Sequence, residues 1–240
     1  AYAPMGVWHS SAGYSALLTG DGVGELDLGA MDPTAASLRS IGTLPGLRLH
    51  AWSTTDEAVR WTTSLLGRPR LVPDWTFGPW NHAVGGPEEL DRVRQLLRNE
   101  HVPSSAIWSE DWIGGQQTAS GFRLSYAWEW DPARYPSLPD QIRALHTDGF
   151  AFLGYFNPFV PDTTRMFTEG VDGGYLVSHA DGTPYTFQDP GFRNTGLVDL
   201  SNPAAVDWLR YYLVRAVAEV GLDGWMADYA EWLPVDDVAL

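Results

Sequence analysis

The sequence predicts an α/β chain: the first half, about four βα units, of a (β/α)8 TIM barrel, preceded by the tail of a β-sandwich domain. Three observations in the 240 residues carry this reading. From Trp75 onward, short apolar runs alternate with helical patterns of 3.6-residue period, and repeated βα units build a parallel sheet. Polar residues stand at three successive strand ends, Asp111, Asn157 and Asp228, where a barrel carries its chemistry. No Gly-x-Gly-x-x-Gly follows any strand, so a doubly wound dinucleotide-binding sheet has no support.

Residues 1–53 read as the C-terminal part of a β-rich domain. Runs at 15–19 and 23–28 flank Gly20-Asp21-Gly22, a hairpin signal. Residues 54–74 hold a capped helix and a linker. Thr54 and Glu57 make a capping box ahead of Val59, Trp61, Leu65 and Leu66, and Gly67 and Pro69 stop the helix. Residues 75–240 are the half barrel. Its first strand is expected over 77–81, followed by a helix from Pro87 with Leu90, Val93 and Leu97 on one face. The second strand is expected over 105–108. A long loop then leads to a helix over 139–148 that buries Ile142 and Leu145, and to a third strand over 150–155. A long excursion closes at Leu197-Val198-Asp199-Leu200. The helix from Pro203 carries Val206, Leu209, Leu213, Val217 and Val220 on one stripe, and Gly224–Ala227 is the fourth strand. Four such units leave sheet edges open, and the start, Ala1-Tyr2-Ala3-Pro4, shows neither an initiator Met nor a signal peptide. The 240 residues are therefore expected to be a piece of a longer protein.

Composition narrows the function. With 44% apolar and 19% charged residues the chain is expected to fold rather than stay disordered. A net charge of −15 argues against nucleic acid as a partner, since phosphate binding needs a basic surface. There is no cysteine, which removes disulfides and thiolate metal sites. No apolar run reaches the length of a membrane span. The six His and the carboxylates lack His-Glu-x-x-His spacing, so no metal or other cofactor is expected. Gly-x-Ser-x-Gly is absent too, which disfavours an esterase of the α/β-hydrolase type. Twelve Trp, ten Tyr and nine Phe suit flat ligands and sugar rings as well as an ordinary core.

The sharpest signal is Gly221 to Trp232. A short apolar strand ends on Asp228 between Trp225 and Tyr229, and a carboxylate in that place is costly unless it is paired or used. It reads as an anionic nucleophile for a glycosyl group with Trp225 and Tyr229 beside the sugar; the plainer reading is an N-cap or ion-pair Asp. Glu231 is placed to tune Asp228 or bind a hydroxyl, or is a solvated loop charge. Asp111 is a candidate acceptor for sugar hydroxyls, against a loop cap. Asn157 is delivered by the third strand. His82 at the pocket mouth reads as structural.

The run Asp223-Gly224-Trp225-Met226-Ala227-Asp228-Tyr229-Ala230-Glu231-Trp232-Leu233-Pro234 resembles the nucleophile region of glycoside hydrolase family 31, particularly its sulfoquinovosidase-like members. The likeness continues through Leu65-Leu66-Gly67-Arg68-Pro69, Pro73-Asp74-Trp75, Ile107-Trp108-Ser109-Glu110-Asp111-Trp112, Tyr155-Phe156-Asn157-Pro158 and Val198-Asp199-Leu200-Ser201-Asn202-Pro203, about residues 60–240. The resemblance implies a retaining α-glycosidase acting on terminal α-linked sugars, of the α-glucoside type and extending to α-sulfoquinovosides. Asp228 would be the nucleophile, and the family's acid/base Asp would come from a later strand beyond residue 240. In the sulfoquinovosidase pattern a Gln, an Arg and a Trp hold the sulfonate. Arg123 matches the Arg, Glu110 stands in place of the Gln and Tyr126 in place of the Trp. A Glu beside a sulfonate repels it, so Glu110 points away from that substrate; pairing of Glu110 with Arg123 would frame a neutral sugar instead. The remaining alternatives are a non-catalytic carbohydrate-binding remnant, or a transglycosylase or lyase on the same scaffold. In each case the expected partner is a carbohydrate, not nucleic acid or a membrane.

Overall fold

The computed structural model of the chain describes residues 6–20, 24–40, 46–118, 121–188 and 193–230. It contains two compact units, Ala1–Leu71 and Val72–Leu240.

The first unit is antiparallel. Its strands are β1 (Val7–Ser10), β2 (Tyr14–Thr19), β3 (Gly24–Asp27), β4 (Ser37–Ser40) and β5 (Gly46–Ala51). The expected hairpin around Gly20 does not form: β2 lies between β1 and β5, while β3 pairs with β4. The match of β2 with β5 runs over six residues, from Tyr14↔Ala51 to Thr19↔Gly46, longer than the four-residue β3 could offer. Helix α1 (Thr55–Leu66) begins with both halves of the expected capping box, Thr54 with Glu57. It packs on β2 and β5, with Trp61 stacked flat on His50 at 5.1 Å.

The second unit carries the βα repeat. In chain order come β6 (Trp80–His82), α2 (Pro87–Asn99), β7 (Ala106–Trp108), β8 (Gly115–Thr118), β9 (Gly121–Leu124), α3 (Leu138–Thr147) and β10 (Ala151–Phe156). After these follow β11 (Phe159–Pro161), α4 (Arg165–Gly173), β12 (Thr186–Gln188), β13 (Arg193–Leu197), α5 (Pro203–Arg215) and β14 (Gly224–Ala227). Strands β6, β7, β10 and β14 form one parallel sheet in that order. Sequential neighbours without a reversal are the winding of a barrel, since a doubly wound sheet reverses direction at a switch point. This is the α/β half barrel anticipated from the pattern.

Three details depart from expectation. The first strand starts at Trp80, because residues Asp74–Phe77 form a 3-10 turn and Pro79 has no N–H for the ladder. The loops are richer than they looked: β8 and β9 make a hairpin after β7, and β11, β13 and β12 make a small sheet after β10. The stripe of the last helix is rotated. Ala205, Tyr212, Ala216 and Val220 are buried, with Trp208, Leu209 and Leu213 partly so, whereas Val217 is exposed. The aromatic residues decide this face. Trp208 Nε1 and Tyr212 OH donate to Glu169 Oε2 at 3.1 and 2.6 Å, so both rings can be packed without losing a polar partner.

Side-chain alternation gives the sheet two faces. Ile107 and Phe152 join the helix-side core with Leu90, Val93, Ile142 and Leu145. Ala106, Ala151 and Leu153 form the opposite, inner face, with Trp75 and Trp108 against it. Gly154 is required on the helix side: a Cβ there would meet Trp112 Nε1 and Leu222 Cδ1 at 2.8 Å.

Candidate active site

Register fixes which strand-end residues share the inner face. His82 pairs with Trp108, Trp108 with Leu153, and Leu153 with Gly224, forming one row across the sheet. Tyr155 and Met226 form the next. Asp228 stands two residues beyond Met226 and so falls on the same face.

Asp228 is half-buried. Its backbone N–H donates to Phe156 O at 3.0 Å, which carries the ladder one residue past the strand. Oδ2 accepts from Tyr155 OH at 2.9 Å, and Oδ1 from the Tyr229 N–H at 3.1 Å. Burial pushes the Tyr155 phenol well above its ordinary value, with the Asp228 charge adding to it, so this group stays a donor. Asn157 Nδ2 reaches Tyr155 OH at 3.4 Å. The chain turns sharply after the carboxylate: Tyr229 has φ +61°, a left-handed conformation uncommon for a bulky residue.

Glu110 faces the same space. Its Oε1 lies 3.3 Å from His82 Nε2, within ion-pair distance. Burial raises the Glu110 carboxyl above the usual glutamate value; His82 opposes this and the charges of Asp111 and Asp228 reinforce it. Tyr126 sits where both carboxylates act on it. Burial, then Tyr229, Glu110 and Asp228, push its phenol up to about 12. Its ring lies 6.5 Å from that of Tyr155, and its φ of +49° is a second left-handed aromatic at the cleft. Strain of this kind gathers at functional sites.

Asp111 is placed differently from the hydroxyl acceptor expected of it. It is fully buried. Oδ1 accepts from Ser109 Oγ and Tyr135 OH, both at 2.6 Å. Oδ2 accepts from Arg134 Nε at 2.7 Å and from the N–H groups of Gly85 and Gly86 at 3.0 and 3.1 Å. Gly86 is the N-cap of α2, so the carboxylate caps that helix and meets the positive end of its dipole. Every lone-pair direction of Asp111 is taken.

The other candidates divide. Asn157 is buried; its Oδ1 accepts from Phe159 N–H at 3.1 Å and its carbonyl from Trp128 Nε1 at 2.9 Å, so it shapes the corner and supports Tyr155. Trp225 lies three residues before Asp228 and therefore on the helix side, where its ring packs edge-on against Phe156 at 5.9 Å. It is not beside Asp228 on the inner face. Arg123 lies in β9, register-paired with Gln116, on the hairpin that leads to Tyr126. Glu231 lies outside the described residues. Tyr155 and Arg134 carry no signal as site groups in the sequence, and His82, which reads there as structural at the pocket mouth, lies beside Glu110. Only the register between β10 and β14 reveals that Tyr155 reaches Asp228.

The arrangement presents a carboxylate held by a phenol and a backbone N–H, with part of its surface open, facing a second carboxylate and two aromatic hydroxyls. Such a group can attack an electrophilic carbon or stabilise a cation. Among the described residues, no group of three His, Cys, Asp or Glu is placed to hold a metal ion, and no helix is long and apolar enough to cross a membrane.

Known proteins resemble this chain in sequence and fold. The model of the glycosyl hydrolases family 31 TIM-barrel domain matches residues 69–238. The chain is 34% identical over 191 residues to the sulfoquinovosidase of Escherichia coli (strain K12), covering 79% of this chain and 28% of that protein. It is 36% identical over 176 residues to the sulfoquinovosidase of Agrobacterium fabrum, covering 71% and 26%. Among solved structures, a GH31 family sulfoquinovosidase from E. rectale, in complex with the aza-sugar inhibitor IFGSQ, matches 100% of this chain and 36% of its own. Its TM-score is 0.87 at 29% identity. The chain thus spans roughly a quarter to a third of the length of these relatives.

Proposed function

The chain belongs to glycoside hydrolase family 31, and on that premise we propose that it supplies the nucleophile half of a retaining α-glycosidase. Asp228 attacks the anomeric carbon of a terminal α-linked sugar. The bond to the leaving oxygen breaks as a second carboxylic acid protonates that oxygen, and water activated by the same group then releases the glycosyl-Asp228 ester. In retaining enzymes the two carboxyl groups stand about 5–5.5 Å apart. The family pattern assigns the second to a strand after residue 240.

The observation that supports this best is the environment of Asp228: inner face, strand end, one oxygen held by Tyr155 and the group still half open. A carboxylate so oriented is pre-positioned without being sated. The two carboxylates Glu110 and Asp228, close enough for one to act on the other, favour a neutral sugar of the α-glucoside type over a sulfonated one.

In the full-length protein, Asp228→Ala is expected to cut turnover by about 10³- to 10⁵-fold with thermal unfolding nearly unchanged. An activated fluoroglycoside should leave its sugar on the peptide containing Asp228 when the labelled protein is digested and weighed by mass spectrometry. A label on another residue, or full activity in the variant, would sink the assignment. Nitrophenyl α-glucoside, α-xyloside, α-galactoside and α-sulfoquinovoside serve as the substrate panel.

A further inference from the structure

Phe159 has no part in the chemistry above and is fully buried, yet three aromatic rings converge on it. It opens β11, directly after the Asn157-Pro158 corner that follows β10, and is register-paired with Leu197 of β13. Phe187 of β12 meets its ring edge-on at 5.3 Å between centroids, and Val177 and Leu197 share its apolar cluster. Two further contacts lead to the cleft. Tyr229 lies at 5.4 Å with 33° between planes, and Tyr126 lies edge-on at 6.4 Å. These are the two left-handed tyrosines beside Asp228, with φ +61° and +49°.

The contact with Tyr229 bears on the nucleophile. A left-handed φ is disfavoured for a bulky residue and persists only where the surroundings impose it. Rotation about the Tyr229 N–Cα bond swings its ring relative to the peptide that joins it to Asp228. A ring held by packing therefore fixes where the N–H of that peptide points. This N–H donates to Asp228 Oδ1 at 3.1 Å. The other oxygen is reached through the backbone of the same Phe159. Its N–H donates to Asn157 Oδ1 at 3.1 Å, Asn157 Nδ2 donates to Tyr155 OH at 3.4 Å, and Tyr155 OH donates to Asp228 Oδ2 at 2.9 Å. Ring and backbone of one buried residue thus stand behind both oxygens of Asp228. Phe159 is itself anchored in the small sheet of β11, β13 and β12.

We propose that Phe159 is a positioning residue for the nucleophile: the small sheet anchors it, and its ring holds Tyr229 in the left-handed turn that aims Asp228. The proposal rests on the glycosidase reading above. It gives the long excursion between β10 and α5 a task, that of a buttress behind Asp228. Sealed from solvent, Phe159 acts on the attack and not on sugar binding.

The test uses the full-length protein and the nitrophenyl α-glycoside of the panel that it cleaves best. Phe159→Leu keeps an apolar body and the N–H to Asn157 but removes the ring. It should lower kcat about 10- to 100-fold, the scale on which a small misplacement of a reacting group is felt, with KM within about threefold. The rate at which a saturating activated fluoroglycoside labels Asp228 should fall by the same factor. Val177→Ala, as fully buried and in the same cluster, is the control for packing. Assayed well below the melting point of every variant, it should keep kcat within about threefold of wild type. Should Phe159→Leu not fold, Phe159→Met, unbranched and adaptable, takes its place with the same expectations. A loss of kcat well short of tenfold overturns the proposal, as does a defect confined to KM. An equal loss of kcat in Val177→Ala also overturns it, because packing alone would then explain the effect. In each of these cases wild-type turnover and labelling of Asp228 leave the glycosidase reading standing. If wild type cleaves no glycoside of the panel and Asp228 takes no label, that reading falls and the role of Phe159 falls with it.

Discussion

Asp111 and Asp228 both stand just past the end of a parallel strand, and they could hardly be used more differently. Asp111 is sealed from solvent and receives donors from Ser109, Tyr135, Arg134, Gly85 and Gly86, which join three separate segments of the chain. Asp228 keeps part of its surface open and, among the described residues, takes one side-chain donor, Tyr155, and one backbone N–H from its neighbour. A strand-end position identifies both as candidates, but the degree of saturation separates them. A carboxylate whose lone pairs are all used holds structure together. One that is oriented yet unsated is ready to react.

The largest effect should come from breaking the saturated centre. Asp111→Ala leaves the Arg134 guanidinium, 25% exposed, and several buried donors without their acceptor. Removing one member of a buried pair costs about 3–5 kcal/mol, so the full-length protein should melt several degrees lower. Asp228→Ala should do the reverse: melting almost unchanged, turnover lost. If Asp228→Ala were the variant that lost stability, and Asp111→Ala the one that folded normally without turnover, the roles drawn from saturation would have to be exchanged.

A smaller effect is expected at Tyr155, the side chain that donates to Asp228 among the described residues. Tyr155→Phe removes the hydrogen bond to Oδ2 while keeping the ring. A bond to a charged acceptor contributes about 1.5–3 kcal/mol, which corresponds to roughly 10- to 100-fold in kcat/KM. Burial holds the phenol protonated well beyond neutral pH. The ratio of wild-type to variant activity should therefore stay flat from pH 6 to pH 9. A ratio that collapses toward one on the alkaline side would show that Tyr155 titrates there and acts as an acid rather than as a brace.

The winding of the barrel was legible because it rests on periodicity. The capping box at Thr54 and Glu57, the stripe of α2 and the strand Gly224–Ala227 all follow from local spacing. Asp228 was legible as a polar break at the end of an apolar run. What local spacing does not contain is register. That is why the sequence does not link Tyr155 to Asp228, and why it suggests Trp225 beside the sugar although an offset of three residues along a strand puts it on the opposite face from Asp228. The structural role of Asp111 is hidden for a related reason: its partners Gly85, Gly86, Arg134 and Tyr135 lie more than twenty residues away. The stripe of α5 differs from its aliphatic pattern because Trp208 and Tyr212 pack inward, with Glu169 satisfying their polar tips.

The finest test compares adjacent residues. At Asp111 burial pushes upward, and the hydrogen bonds from Ser109, Tyr135, Arg134 and Gly85 together outweigh it, so the carboxyl titrates below the usual aspartate value. Its stabilisation is present above the unfolded aspartate value and is lost as pH falls through the lower, folded one. Glu110 runs the opposite way. Burial raises it, so the folded state loses stability as pH rises from the unfolded glutamate value through the higher, folded one. Glu110→Gln removes that loss. The variant should melt about 1–2 °C above wild type at pH 7, and the gap should close as pH falls below the usual glutamate range. Asp111→Asn should instead melt below wild type at pH 7 and approach it only in stronger acid. Melting curves of the three proteins across pH 3 to pH 8 would show whether the curves diverge in opposite directions. A Glu110→Gln variant that melts lower at neutral pH, or by the same margin at every pH, would mean that Glu110 is held as firmly as its neighbour.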